Sequence, residues 1–253
     1  EIKAGMDYFP LLDGKIGKPV RLTIRPKSGR SFDVTTKGMS MNAVDDLLYK
    51  RWVDRNRQLV DSLSGGRLAY VHVRAMNSES FRTVYRELLS DKNRNREAVI
   101  VDDRHNGGGW LHDDLCTLLS GKEYQNFMPR GNYIGRDPFN KWTKPSCVLI
   151  CEDDYSNGHG FPMVYKTLGI GKLIGTPVAG TMTAVWWETM IDNTMIFGIP
   201  QVGCMTLDGK YAENTQLNPD ITVYNTPEDF LNGNDRQLKA AIEEMMKQIG
   251  EKK

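Results

Sequence analysis

Three stretches of the chain carry residues whose types and order could do chemistry. The first is Ile100-Val101-Asp102-Asp103-Arg104-His105-Asn106-Gly107-Gly108-Gly109, an apolar strand that ends in polar residues and three glycines ahead of a helix. Glycines there let the backbone approach a ligand or take positive φ, and a nest of N–H groups beside a helix N-terminus suits a negative oxygen. No Gly-Lys-Ser/Thr follows, which argues against a phosphate loop. The second is Cys151-Glu152-Asp153-Asp154-Tyr155-Ser156-Asn157-Gly158-His159-Gly160-Phe161-Pro162, again strand, turn and helix. It puts Ser156 at the head of the helix, where the dipole favours a developing oxyanion and the Asn157 N–H is free to bind it. The third, Asp208-Gly209-Lys210-Tyr211-Ala212-Glu213-Asn214, brings the carboxylate of Glu213 behind a turn. Taken singly, each has a plainer reading: a strand-to-helix turn, a helix N-cap and a solvated carboxylate. The first two gain meaning together. Turns that follow parallel strands of one sheet open on the same edge, and two turns on one edge can build one oxyanion hole.

The elements that must position these residues are legible in the pattern. From Arg67 onward, strands and helices alternate: strand 68–73, helix 78–89, strand 98–102, helix 111–119, strand 147–151, helix 158–168 and strand 172–175. Such alternation predicts an α/β domain with a mostly parallel sheet and crossover helices. Short strands at 188–191, 194–199 and 203–207 follow, broken by the hairpin signals Asp192-Asn193 and Asp208-Gly209, and a helix over 234–247 closes the chain. Upstream, a short helix near 6–12 and strands at 20–24 and 31–35 make half a domain, and the pattern over 42–62, ended by Gly65-Gly66, reads as a helical connector. Residues 121–142, rich in Gly, Pro, Asn and aromatics, read as an irregular loop.

The order Asp-x-Arg-x-Asn-Gly-Gly-Gly, then Tyr-Ser-x-Gly-x-x-Phe-Pro, then Lys172-Leu173-Ile174-Gly175-Thr176, then Ala212-Glu213-Asn214 ahead of Asn218-Pro219-Asp220 resembles the tricorn and C-terminal-processing serine peptidases. The likeness covers about 68–247. It implies a core related to the crotonase and Clp-protease superfamily over 67–253, and residues 1–37 resemble the second half of a PDZ-like domain, joined through a helical linker at 38–66. It also implies peptide-bond hydrolysis through an acyl-enzyme on Ser156, with the N–H groups of Asn157 and of Gly108 or Gly109 as oxyanion hole and Glu213 in the charge network around a histidine. In the tricorn branch that histidine precedes the PDZ-like domain. The processing branch instead uses a lysine downstream of the serine, at the level of Gly180 to Thr183, where this chain has threonines and no lysine. The resemblance therefore favours the tricorn branch, with the general base in a segment outside these residues. Asn157 stands where that branch usually has Asp, a mild change if only its N–H acts. Of the four histidines, His72 reads as a core residue, and His105 and His112 as neighbours of the glycine turn. His159, one turn beyond Ser156, reads as a bystander that could at most form a makeshift dyad.

Composition bounds the partners. Among 253 residues, 33 Lys plus Arg face 32 Asp plus Glu, so the basic excess that holds nucleic acid is missing. No apolar run approaches the length of a membrane span. Cys116, Cys147, Cys151 and Cys204 show neither paired spacing nor a His cluster, so buried thiols, no metal and no cofactor are expected, and cell envelope and cytoplasm both stay open. The expected partner is a peptide or unfolded protein, with a homo-oligomer left open. Where the tricorn branch has an acidic loop residue for basic side chains, the matching Tyr124-Gln125-Asn126-Phe127 is neutral and aromatic, so the resemblance implies an uncharged or apolar preference; Trp142 and the pair Trp186-Trp187 could wall a peptide groove or simply be core. Two rival functions share the fold: a non-catalytic module for apolar ligands or peptides, and a crotonase-type acyl-CoA enzyme, which would need no serine nucleophile.

Overall fold

Residues Glu1–Arg55 and the chain from Asn56 onward are separate units of a computed structural model that describes residues 1–250. In the first unit a 3-10 turn at Phe9–Leu12 precedes β1 (Pro19–Ile24) and β2 (Phe32–Lys37), which pair antiparallel. Arg21 and Thr23 on one strand both hydrogen-bond Asp33 on the other. Helix α1 (Met41–Leu63) begins in this unit and ends in the second.

The second unit runs β3 (Leu68–His72), α2 (Ser78–Leu88), α3 (Asp91–Arg94), β4 (Ala98–Asp102), α4 (His112–Leu119), β5 (Gln125–Phe127), β6 (Gly135–Asp137), β7 (Ser146–Ile150), α5 (Asn157–Thr167), β8 (Lys172–Gly175), β9 (Ala184–Thr189), β10 (Ile196–Val202), β11 (Ile221–Thr222), α6 (Pro227–Asn232) and α7 (Arg236–Gly250). The central sheet has the order β11-β8-β7-β4-β3, and every pairing in it is parallel. Parallel sheets are covered on both faces, and β3, β4 and β7 are accordingly buried along their whole length. Ala69, Val71, Val99, Val101, Val148, Ile150 and Leu173 share one cluster with Leu88 of α2, Leu115 of α4, and Phe161 and Tyr165 of α5. The alternate residues lie on the face that α7 covers with buried Leu238, Ala241, Ile242 and Met245.

A buried ion-pair network ties α7 to that face. Arg104 donates from Nε and Nη2 to the two oxygens of Asp102, at 2.8 and 2.7 Å, and from Nη1 to Asp235 and Gln237. Tyr70 donates to the same Asp102 carboxylate at 2.7 Å. Burial pushes the Asp102 carboxyl up, but the Arg104 charge and its hydrogen bonds outweigh burial and hold it below the usual carboxylate range.

Two expectations need correction. Residues 121–142 are not wholly irregular: β5 and β6 pair antiparallel there, and the Phe127 and Phe139 rings stack at 5.8 Å. Residues 203–207 form no strand, because the turn at Asp208-Gly209 closes at once through Thr206 N to Lys210 O, leaving a single bridge between Met205 and Tyr211. Trp142 takes the core alternative rather than the wall of a peptide groove, 3% exposed with Nε1 donating to Pro145 O.

Candidate active site

Strands β4 and β7 are neighbours in the sheet, and the turns that follow them meet beyond its C-terminal edge. Asn106, fully buried, is the hub of that meeting. Its Nδ2 donates to Val73 O and Asp103 Oδ1, its Oδ1 accepts from Gly108 N, and its carbonyl accepts from Tyr155 N at 2.9 Å. Asp103 and Asp154 sit on either side of it, both buried. Burial, joined for Asp103 by the charge of Asp154, raises both carboxyls well above their usual range.

Ser156 heads α5 with φ 54° and ψ −118°, in the positive-φ region that L residues avoid. Strain of this kind costs about 1–3 kcal/mol and persists only where the surroundings over-determine it. Here Ser156 N donates to Thr181 Oγ1 at 3.2 Å, Ser156 O accepts the His159 and Gly160 N–H groups, and Gly108 packs against the side chain. A Cβ on Gly108, at φ 95°, would lie 2.7 Å from the Ser156 Cβ and 2.8 Å from Tyr155 O. The Ser156 hydroxyl makes no hydrogen bond among the described residues.

Ser156, Asn157, Gly107 and Gly109 line one cleft of about 380 Å³, together with Trp110, Tyr155, Val185 and Trp187. Trp110 and Trp187 are exposed apolar walls, at 67% and 63%. Trp186 is not among the lining residues and instead donates from Nε1 to Glu188. Residues 124–127 do not line the cleft either.

The two glycines named from sequence differ in what their amides do. Gly108 N–H is spent on Asn106 Oδ1. Gly109 sits at a parallel bridge with Met76, in which the flanking groups, Gly108 O and Trp110 N, bond Met76. Its own N–H therefore points to the opposite side, and it has no acceptor among the described residues. The Asn157 N–H at the head of α5 is likewise unclaimed. The Asn157 side chain is committed elsewhere: its Oδ1 accepts from Leu111 N at 2.7 Å and His112 N at 3.1 Å, which caps α4. Its Nδ2 lies 2.7 Å from His112 Nδ1.

Glu213 lies behind the cleft wall. Its Oε2 accepts from Met182 N at 2.9 Å and Thr183 N at 2.7 Å. The Thr183 hydroxyl, those two N–H groups and the charge of His159 hold its carboxyl below the ordinary range against some burial. Segment 181–183 thus carries both Thr181, which fixes the turn of Ser156, and the amides that hold Glu213. Thr181 escaped sequence reading as a contributor, although it stands at the level where the processing branch has its lysine. His72 bonds the Arg104 carbonyl through Nε2. His159 is 1% exposed with an unpartnered Nδ1, its pKa lowered by burial despite the nearby Glu213 charge. No histidine hydrogen-bonds the Ser156 hydroxyl among the described residues.

A parallel sheet with a strained serine at a strand-to-helix turn, on one cleft with residues whose amides are unclaimed, defines a class. The family model that matches residues 67–223 is that of peptidase family S41, and the chain belongs to this family. It is similar to the tricorn protease of Thermoplasma acidophilum, 26% identical over 252 residues that cover 98% of this chain and 23% of that protein. It is 31% identical over 232 residues to the tricorn protease homolog of Saccharolobus solfataricus, covering 91% of this chain and 21% of that one. A crystal structure of the tricorn protease superposes with a TM-score of 0.82 at 26% identity, over 95% of this chain and 23% of that chain. The chain therefore spans about a quarter of the length of the curated relatives it matches.

Proposed function

We propose that this chain is the catalytic core of a serine peptidase that cleaves peptides or unfolded protein through an acyl-enzyme on Ser156. The observation that carries the reading is the strained Ser156 on one cleft with the unclaimed N–H groups of Asn157 and Gly109. Ser156 Oγ attacks the scissile carbonyl carbon while its proton passes to a base. The carbonyl oxygen becomes an oxyanion held by the Asn157 and Gly109 amides, each such donor being worth about 3–4 kcal/mol in the transition state. The C–N bond then breaks, the leaving amine takes the proton from the base, and water releases the acid in a second attack. Gly109 rather than Gly108 is the second donor, since the Gly108 amide is already spent. Glu213 acts from behind the wall, as an anion that orients the base and fixes segment 181–183. The base is a histidine from outside these residues, a reading supported by the unbonded Ser156 hydroxyl and by Thr181 at the level of the processing-branch lysine. Residues 1–37 form the second half of a PDZ-like domain, 38–66 the linker and 67–253 the peptidase domain.

Hydrolysis of an unstructured fluorogenic peptide by the full-length protein tests this. Ser156→Ala should lower kcat by about 10⁶-fold with the fold intact. Unchanged turnover in that variant would end the proposal.

A further inference from the structure

On the far side of the same two turns, three side chains far apart in sequence converge on one point. His105 follows β4, Cys151 directly follows β7 and Asp153 lies two residues beyond it. His105 Nδ1 is 3.0 Å from Asp153 Oδ2 and 3.8 Å from Cys151 Sγ, and the three donor atoms all lie within 4.8 Å of one another. We propose that His105, Cys151 and Asp153 form a binding site for a divalent transition-metal ion of the zinc type, with a fourth position open to water.

The geometry distinguishes this from a nucleophilic triad. In a triad, the two imidazole nitrogens face opposite partners, one the nucleophile and the other the carboxylate. Here a single nitrogen, Nδ1, faces both sulfur and carboxylate, so no proton can be relayed through the ring between them. Three donors focused on one point are what a tetrahedral ion requires: metal–sulfur bonds near 2.3 Å and metal–nitrogen or metal–oxygen bonds near 2.0–2.2 Å put donor atoms about 3.3–3.6 Å apart. The observed 3.0 and 3.8 Å need shifts of a few tenths, and the Cys151 Sγ to Asp153 carboxylate distance, which lies within 4.8 Å, closes by rotation of the exposed Asp153 side chain. The set of one thiolate, one imidazole and one carboxylate suits zinc over calcium or magnesium, which take oxygen alone.

The surroundings also suit it. His105 N donates to Cys151 Sγ at 3.2 Å and the Asp153 amide donates to it as well, the outer contacts that steady a metal-bound thiolate. The Cys151 thiol donates to Asp154 Oδ1 at 3.4 Å, and an entering ion that takes the sulfur as thiolate releases this proton to solvent. The His105 and Asp153 side chains are 55% and 67% exposed, which leaves the ion a path. A cavity of about 50 Å³ beside them, reached by Glu152, Tyr224 and Asn225, accommodates the water. Sequence reading found no ligand spacing because His105 and Cys151 are 46 residues apart and meet only through the parallel pairing of β4 with β7. Gly109 and Ser156 lie a few residues farther along the same turns, so an ion here bolts together the two segments that carry them. The site itself stands whether or not the chain hydrolyses peptides.

Titration of the reduced chain with Co²⁺, read by absorption, tests the site. One equivalent should bind with thiolate-to-cobalt charge transfer, and equimolar Zn²⁺ should remove the band. Cys151→Ser should lose it, and Asp153→Asn, at an exposed position that leaves the fold intact by circular dichroism, should weaken binding by at least about tenfold. Cobalt that binds without thiolate absorption, that binds Asp153→Asn as tightly as the parent, or that shows no binding up to about 1 mM overturns the proposal.

Discussion

Ser156 holds a backbone conformation that costs energy and is kept there by contacts that do nothing else visible: Thr181 on its amide, α5 on its carbonyl and Gly108 on its side chain. Removing the hydroxyl while keeping the backbone demand should separate function from stability. Ser156→Gly, which tolerates φ 54°, should unfold about 1 kcal/mol later than Ser156→Ala in urea, and neither should turn over peptide. Glu213 makes a different prediction, because its pKa is lowered by folding. Stability from a depressed carboxyl is fully present above the ordinary glutamate value of 4.5 and is lost as pH falls through the lower folded value. The gap in melting temperature between the parent and Glu213→Gln should therefore be constant from pH 6 to 8 and close in acid below pH 4.5. A gap that instead widened in acid would mean that folding raises the Glu213 pKa.

At the scale of elements, the site is two strand ends and the turns beyond them. Gly108 is a tight joint between the two turns, since any side chain there meets both Ser156 and the Tyr155 carbonyl. Gly108→Ala should lower stability by about 2–4 kcal/mol and turnover by more than tenfold, measured by denaturant unfolding and peptide hydrolysis. The strands that lead into the joint were legible because burial on both faces demands apolar runs such as Ala98-Val99-Ile100-Val101 and Cys147-Val148-Leu149-Ile150. The β5–β6 hairpin was not, because its strands are three residues long and held by ring stacking rather than by alternation. Motif order points to Ser156 and Glu213, which the structure puts on the cleft and hydrogen-bonded to its wall. The roles of Asn106 and Thr181 could not be read there, since both act through hydrogen bonds to backbone brought close only by the parallel pairing. The same limit hid the convergence of His105 and Cys151.

The whole second unit depends on how α7 is clamped to the sheet. Arg104 joins β4 to the head of α7 through Asp102, Asp235 and Gln237, and both Arg104 and Asp102 are out of solvent. Removing one partner of a buried pair leaves an uncompensated charge, so Arg104→Met should cost about 3–5 kcal/mol, read from the urea midpoint. The cleft should widen with it, because Arg104 lies in the same turn as Asn106. The proposed acylation site joins the Ser156 hydroxyl to the Asn157 and Gly109 amides. Mass spectrometry of the full-length protein after treatment with a fluorophosphonate tests it most directly: a single adduct on Ser156, absent in Ser156→Ala, is expected. An adduct on another serine, with Ser156 unmodified in folded protein, would contradict it.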